Sequence, residues 1–449
     1  MSNPIDAWHG LIRPEEMSAS FFEGFAREMR AARLTFGDRV HSPFLRPLFI
    51  TEQDEERVRK FAETIAVLGE RVVAAAMEQP SLLDELGLRD DERRLVALDP
   101  GYGRASTASR LDAFLLPDSL QAAEYNAESP AGLGYTEVLA EVFAGLPVMA
   151  RFKEHFDTKA YALTSQMLGA LMASYREWGG RETAPQIAIV DWRDVPTWSE
   201  FEILQERFTA LGVPTMVCTP QDLEYDGRGL HALGRRIDLV YRRVLINDIL
   251  EKPAECRALL RAYEAGAVCV ANTFRCKIPH KKAFFAVLTD ERFAALVSGA
   301  ERAAIQGHVP WTRVVRETRT SRDGESIDLV PYIRAHRDAL VMKPNDEYGG
   351  AGVTLGWETP EPAWEARLQE ALAAPAGSWI VQEKITVRRE VFPYFQGGGA
   401  AVMKDMLVDM APYLFRGKLA GFLTRLSASG LANVTSGGGQ VPSFRVKAR

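Results

Sequence analysis

Cysteine is scarce in this sequence. Its four copies in 449 residues, Cys218, Cys256, Cys269 and Cys276, include no Cys-x-x-Cys pair. That spacing excludes the usual zinc and disulfide frameworks. The seven histidines are dispersed too, with no His-x-x-x-His. No run of about 18 apolar residues is present, so no membrane span is expected. Met1 to Asp6 has no basic stretch leading into an apolar core. A secretory signal is therefore not expected, and a reducing cytoplasm is the default compartment. An excess of positive charge is also lacking. The formal net charge of −6 argues against a nucleic-acid partner, whose footprint would be basic. Internal repeats and low-complexity tracts are absent as well.

What is present is ordinary globular material. The chain is 47% hydrophobic and 25% charged, enough for two or three domains. Residues 1–104 read as a mainly helical region. Val58, Phe61, Ile65, Leu68 and Val72 recur at helical spacing between Asp54 and Met77. Residues 105–180 begin with a hairpin and continue as helix from Tyr135 to Tyr175. Residues 181–275 alternate strand and helix: Ile187 to Val190, then Ser199 to Leu211, then Thr215 to Cys218, then Ile237 to Tyr241. That alternation predicts βαβ units on a small parallel sheet. The boundary lies in Gly179 to Pro185, which has linker composition. Residues 276–449 are rich in strands and glycine turns. The whole reads as a mixed α/β (α+β) chain.

The most informative stretch runs from Arg110 to Asn126. Pro117-Asp118-Ser119 is a turn signal between two strand-like runs. A hairpin centred on Asp118 places Asp112 opposite Glu124 and Arg110 opposite Asn126. All four then share one face. Two like charges directly opposite are destabilising, and a divalent cation reverses that sign. Two carboxylates and an amide oxygen suit Mg²⁺, and Arg110 beside them suits a phosphate as a bidentate donor. The competing reading is a solvated hairpin face with scattered charge.

Three later segments are suited to a nucleotide. Asp338 to Pro344 reads as a strand carrying Lys343. It leads into a glycine-rich loop with Gly349, Gly350 and Gly352, then into a second strand, Val353 to Trp357. Such a loop lets backbone N–H groups approach phosphates. It is not a P-loop, because Gly-Lys-Ser/Thr is absent and a strand follows. Ser378 to Ile385 is a short strand with a polar pair, Gln382 and Glu383, suited to an adenine edge and ribose hydroxyls. Read alone, it is an ordinary edge strand. Asp409 to Arg425 forms a second hairpin about Arg416-Gly417-Lys418, placing Asp409 opposite Arg425. Read alone, that is a cross-strand ion pair, at most about 1 kcal/mol if exposed. The tail Asn433 to Gly439 reads as a linker or a further backbone cradle.

Together these segments resemble the ATP-grasp superfamily. They are most similar to the synthetase portion of glutathionylspermidine synthases and related circularly permuted proteins, over roughly residues 105–445. Arg110-x-Asp112 with Glu124-x-Asn126 has the spacing of that group's phosphate-binding arginine and magnesium ligands. Lys282 looks like its first ATP lysine, with the adjacent Lys281 as competitor. Lys343 looks like its second lysine, Gln382-Glu383 like its adenine hinge, and Arg425 like its late arginine. In ordinary ATP-grasp chains the magnesium ligands follow the lysines; here they precede them, which is the permuted arrangement. Residues 181–275 resemble the pre-ATP-grasp domain, and 276–449 the lid, hinge and C-terminal core. No amidase segment with a cysteine nucleophile is evident, so glutathione and spermidine are not implied as substrates. The first hundred residues fall outside the resemblance.

The resemblance implies a ligase that uses ATP and Mg²⁺ to join a small-molecule or peptide carboxylate to an amine through an acyl phosphate. Asp112, Glu124 and Asn126 would hold the metal, Arg110 the transferring phosphoryl group, Arg425 the phosphates or the substrate carboxylate, and Lys282 and Lys343 the ATP phosphates. Arg242 and Arg243, at the end of a strand in the βαβ segment where ligands commonly sit, and Ser129 are substrate-site candidates. Two alternatives stay open: a phosphotransferase on the same fold, and a non-catalytic nucleotide-binding protein.

Overall fold

The computed structural model describes residues 3–428 and 438–449; residues 433–437 of the tail discussed above lie outside them. The first hundred residues are mostly helical. Their longest helix, Glu52–Glu78, is capped by Thr51, whose side chain accepts from the Asp54 amide. It buries Val58, Phe61, Ile65, Leu68 and Val72, the stripe that helical spacing predicts.

The Arg110–Asn126 region is an antiparallel hairpin of strands Ala108–Leu115 and Leu120–Asn126. Its register pairs Arg110 with Asn126 and Asp112 with Glu124. An irregularity follows between Asp112 and Ala113, so Ala113 pairs with Ala122 and the strand bulges at Ala123. The second hairpin, Ala401–Phe415 with Lys418–Ser427, pairs Asp409 with Arg425. Arg416 and Gly417 at its tip both have positive φ, a turn whose twist matches the flanking strands. The two hairpins join through Tyr413 opposite Arg110. With Gly439–Val441 and Arg389–Phe395 they make a six-stranded sheet.

Strands Thr312–Val314, Trp379–Glu383, Leu340–Pro344 and Thr354–Leu355 form a separate four-stranded antiparallel sheet in that order. Two expectations are corrected here. The Gln382 strand is interior rather than an edge, bonded on both sides. The strand expected over Val353 to Trp357 is only Thr354–Leu355, because the chain turns at Gly356–Glu358. Gly356 packs on the Arg337 carbonyl so closely that a Cβ would lie 1.9 Å from it.

The βαβ segment forms a four-stranded parallel sheet. Its order is Cys269–Ala271, Leu239–Arg242, Ile187–Val190, Thr215–Cys218. Gly179 ends the preceding helix in the left-handed conformation, φ 104°, as helix C-caps commonly do. The helical reading of Tyr135 to Tyr175 is interrupted by strand Phe156–Lys159, which pairs with Ser443–Ala448. That pairing spans nearly 300 residues, so no local pattern announces it.

Candidate functional site

A cleft open to solvent lies between the six-stranded and the four-stranded sheets. The first hairpin contributes Asp112 and Glu124, and the second Asp409 and Arg425. The four-stranded sheet contributes Lys343, Gln382 and Glu383, and the glycine loop Gly349 and Gly350. Lys282 reaches it from the turn before helix Ala283–Thr289. Thus residues from five separated stretches of sequence face one space.

The acidic end is built around Asp112. Arg110 Nε and Nη2 donate to its two oxygens at 2.7 and 3.1 Å, and Arg425 Nη2 donates at 2.6 Å. Burial raises a carboxylate pKa, but here the two guanidinium groups outweigh it and hold Asp112 well below the usual range. Arg425 is shared: its Nε also donates to Asp409 at 2.6 Å. Burial dominates at Asp409 despite Arg425, and its pKa is pushed up to about 6. Its Oδ1 is buried without a hydrogen-bond partner. Burial is the largest influence on Glu124 and raises it, but Lys282 at 3.2 Å, Lys343 and the Asn126 hydrogen bond together outweigh burial and lower its pKa. Asn126 donates to Glu124 at 3.2 Å and stands behind it rather than on the cleft wall.

The opposite wall is apolar with a few placed polar groups, the usual make-up of a small-molecule site. Val341, Leu355, Trp357 and Ile385 line it, and the Lys384 ammonium sits 4.3 Å above the Trp357 ring. Lys343 donates to Gln382 Oε1 at 2.6 Å and to the Ala123 carbonyl at 3.3 Å. Burial lowers its pKa to about 8, with Glu124 opposing and Lys282 reinforcing the shift. Gln382 completes its bonds through Nε2 to Thr312 Oγ1 at 3.0 Å, so the polar residue in this buried strand is satisfied. Glu383 is gripped at both oxygens by Arg322 at 2.6 and 3.1 Å.

The two neighbouring lysines part company. Lys282 faces the cleft, its Nζ donating to the Glu347 carbonyl at 2.5 Å. Lys281 points the other way, into bonds of 2.8 Å with both Glu92 and Asp346. Four other candidates also stand off the cleft wall. Arg242 is fully buried and bonds Glu128, the Val244 carbonyl and Cys276. Arg243 bonds the Pro130 carbonyl and Tyr241, with Nε left unpartnered. Ser129 donates to the Arg243 carbonyl at 3.0 Å. Gly352 packs beneath the loop against Pro344. Arg110 touches the cleft only through Asp112.

Sequence reasoning passed over four residues here. Asp409 as part of the wall was within reach, since it shares the register and face of Arg425. Arg322, Trp357 and Lys384 carried no signal, because each acts through tertiary contact.

No family model matches the chain. In sequence it is 27% identical over 251 residues to a Frankia alni protein that carries the name glutamate–cysteine ligase 2-3. It is 25% identical over 215 residues to a Frankia casuarinae protein with the name glutamate–cysteine ligase 2-2. These matches take in 53% and 45% of this chain but only 26% and 23% of the relatives. The chain therefore spans about a quarter of the length of the curated relatives it matches. In structure it is similar to a glutathione synthetase-like effector from Globodera pallida in its apo form, with a TM-score of 0.60. That match covers 97% of this chain and 98% of the effector at 11% identity. At that identity the likeness is one of fold alone, and it is a likeness to a glutathione synthetase-like protein along nearly the whole length of both chains.

Proposed function

We propose that this chain is an ATP- and Mg²⁺-dependent carboxylate–amine ligase of the ATP-grasp type, with its elements in permuted order. The observation that carries the reading is the single cleft between two antiparallel sheets. One sheet supplies an acidic pair with its arginines, and the other supplies Lys343, the glycine loop and an apolar slot. The names of the sequence relatives support an amide-forming reaction, and glutamate and cysteine are the first substrates to try. The division at residues 104, 180 and 275 and a cytoplasmic setting belong to the same proposal.

The residues fit Mg²⁺. Asp112 and Glu124 are hard oxygen donors facing the cleft, and Asp409 adds a buried oxygen with no partner. Among the described residues, no group of three or more His, Cys, Asp or Glu side chains stands ready to hold a metal alone. Phosphate oxygens and water would therefore have to complete the shell. Bound there, the ion would neutralise charge on the transferring phosphoryl group.

The chain's own residues act by positioning and charge. The apolar slot and Gln382 hold the base, while Lys282 and Lys343 neutralise the phosphates. Arg425, freed in part from Asp112, steadies the phosphoryl group, and Arg110 behind it holds Asp112 in place. A substrate carboxylate oxygen attacks the γ-phosphorus, giving an acyl phosphate and ADP. An amine then attacks the acyl carbon, the C–O bond to phosphate breaks, and the amine loses a proton as the amide forms. The loop around Gly349 and Gly350 excludes water, which would otherwise hydrolyse the acyl phosphate.

Calorimetric titration of a non-hydrolysable ATP analogue, with and without Mg²⁺, tests the site on wild type and on Glu124→Ala/Asn126→Ala. The double variant should lose the magnesium-dependent part of binding. Assays of ADP and free phosphate with glutamate, cysteine and other amino acids then test the reaction. ADP with free phosphate and an amide product supports the ligase. ADP with phosphate retained on the acceptor indicates the phosphotransferase, and no nucleotide binding by folded protein removes both.

A further inference from the structure

The helical segment Pro80–Ala97 contributes nothing to the cleft wall, yet it meets the segments that flank Lys282, Lys343 and the Gln382 strand. Glu92, on helix Asp90–Ala97, is fully buried. Its Oε1 accepts from Lys281 at 2.8 Å and lies 3.8 Å from Lys277. Both lysines also reach Asp346 at 2.8 Å, and Lys277 stands 3.3 Å from Glu128. Burial alone would lower the Lys277 ammonium, but Glu128, Asp346 and Glu92 outweigh it and raise its pKa. His280 is pushed down to about 4, chiefly by burial, and stays neutral.

The ends of this network are the cleft's own parts. Lys281 precedes Lys282. Asp346 precedes Glu347, whose carbonyl holds the Lys282 ammonium. Asn345, just before it, accepts from the Lys282 amide at 2.9 Å through its carbonyl and from the Ala283 amide at 2.8 Å through its side chain. The Asn345 Nδ2 then donates to the Leu86 carbonyl at 2.9 Å and the Gly377 carbonyl at 2.7 Å. Gly87 completes the contact: at φ +71° its Cα faces Gly377 so closely that a Cβ would lie 2.4 Å from the Gly377 oxygen. Residue 377 leads directly into strand Trp379–Glu383.

We propose that Glu92 and the Leu86–Gly87 turn are positioning elements for nucleotide binding, setting where Lys282 and the foot of the glycine loop stand. This gives the first hundred residues a part in the reaction, and it rests on the nucleotide reading above. The sign of one substitution separates position from charge. Glu92→Gln removes a negative charge beside the lysines, so Coulomb attraction alone would tighten binding of a polyanion. Loss of position weakens it. Gly87→Ala changes no charge but forces the turn off Gly377. Glu16→Gln is the control, since Glu16 is also buried and ion-paired, to Arg151, with no contact near the cleft.

The experiment is calorimetric titration of the Mg²⁺ complex of a non-hydrolysable ATP analogue on the full chain and these three variants, with Tm recorded for each. Weakening of roughly tenfold or more is expected in Glu92→Gln and in Gly87→Ala, the size typical of supporting-shell changes. Glu16→Gln should lose Tm with its affinity unchanged. Unchanged or tighter binding in folded Glu92→Gln, or unchanged binding in folded Gly87→Ala, overturns the proposal. So does equal weakening in the control. Failure of wild type to bind would overturn the ligase reading and this inference with it, a result distinct from retained binding in the variants.

Discussion

Lys343 shows how one buried cation sets a pH limit. Burial holds its pKa at about 8, below the ordinary lysine value. The free protein is therefore partly neutral there at mildly alkaline pH and must take up a proton to hold a phosphate. Affinity for the Mg²⁺–ATP analogue should fall as pH rises through about 8, with proton uptake on binding. Titrations in buffers of different ionisation enthalpy would show it, and Lys343→Met should lack that limb. For stability the sign is opposite. Between about pH 8 and the ordinary lysine value the unfolded chain holds the proton and the folded chain does not, so this group's contribution rises with pH. Asp112 is the second sensitive residue. It neutralises Arg110 and Arg425 in a buried setting, and removing one partner of such a group costs about 3–5 kcal/mol. Asp112→Asn should lose stability of that order in urea unfolding, beyond any effect on magnesium-dependent binding.

Among the elements, the glycine loop offers an internal contrast. Gly349 has φ +65° and nothing within 4 Å of an added Cβ. Gly349→Ala should therefore cost only the backbone penalty, about 1–2 kcal/mol for a left-handed alanine. Gly352 has φ +70°, and its Cβ would meet Pro344 Cγ at 2.6 Å. Gly352→Ala should push the loop off the end of the Lys343 strand and weaken analogue binding well beyond Gly349→Ala. Calorimetry on both variants checks this, and equal losses would mean that the Pro344 contact does not matter. The hairpins show what an element reveals about itself. Asp112 opposite Glu124 and Asp409 opposite Arg425 follow from alternation and a turn, both of which are local. The bulge at Ala123 does not follow, because it depends on what the strand packs against.

Across the whole molecule, the end of the chain is sewn to its beginning. Strand Ser443–Ala448 lies between Leu48–Thr51, in parallel, and Phe156–Lys159, antiparallel. One apolar core runs from Phe44 and the Glu52–Glu78 helix through both hairpins to Val441. Phe444, 2% exposed, packs in a second core with Trp8 and Phe49. Phe444→Ala should cost about 3–5 kcal/mol, read as a lower urea midpoint. If that strand only decorated the fold, the midpoint would hardly move.

By itself the sequence determined the helical stripe, the parallel βαβ segment, the two hairpin registers and the lysine–glycine-loop segment. Each is written in neighbouring residues, where side-chain period and turn chemistry act over a few positions. Only the tertiary structure decided which of Lys281 and Lys282 faces the cleft. The two are adjacent and chemically identical, and Lys281 is the one held by Glu92, 189 residues away, and by Asp346. It also decided that Glu383 is held by Arg322 and that Gln382 lies in an interior strand. It turned Arg242 and Arg243 inward. These outcomes depend on pairing buried charges and amides across long stretches of chain. A buried polar group must find a partner wherever the fold brings one, and no local pattern names it.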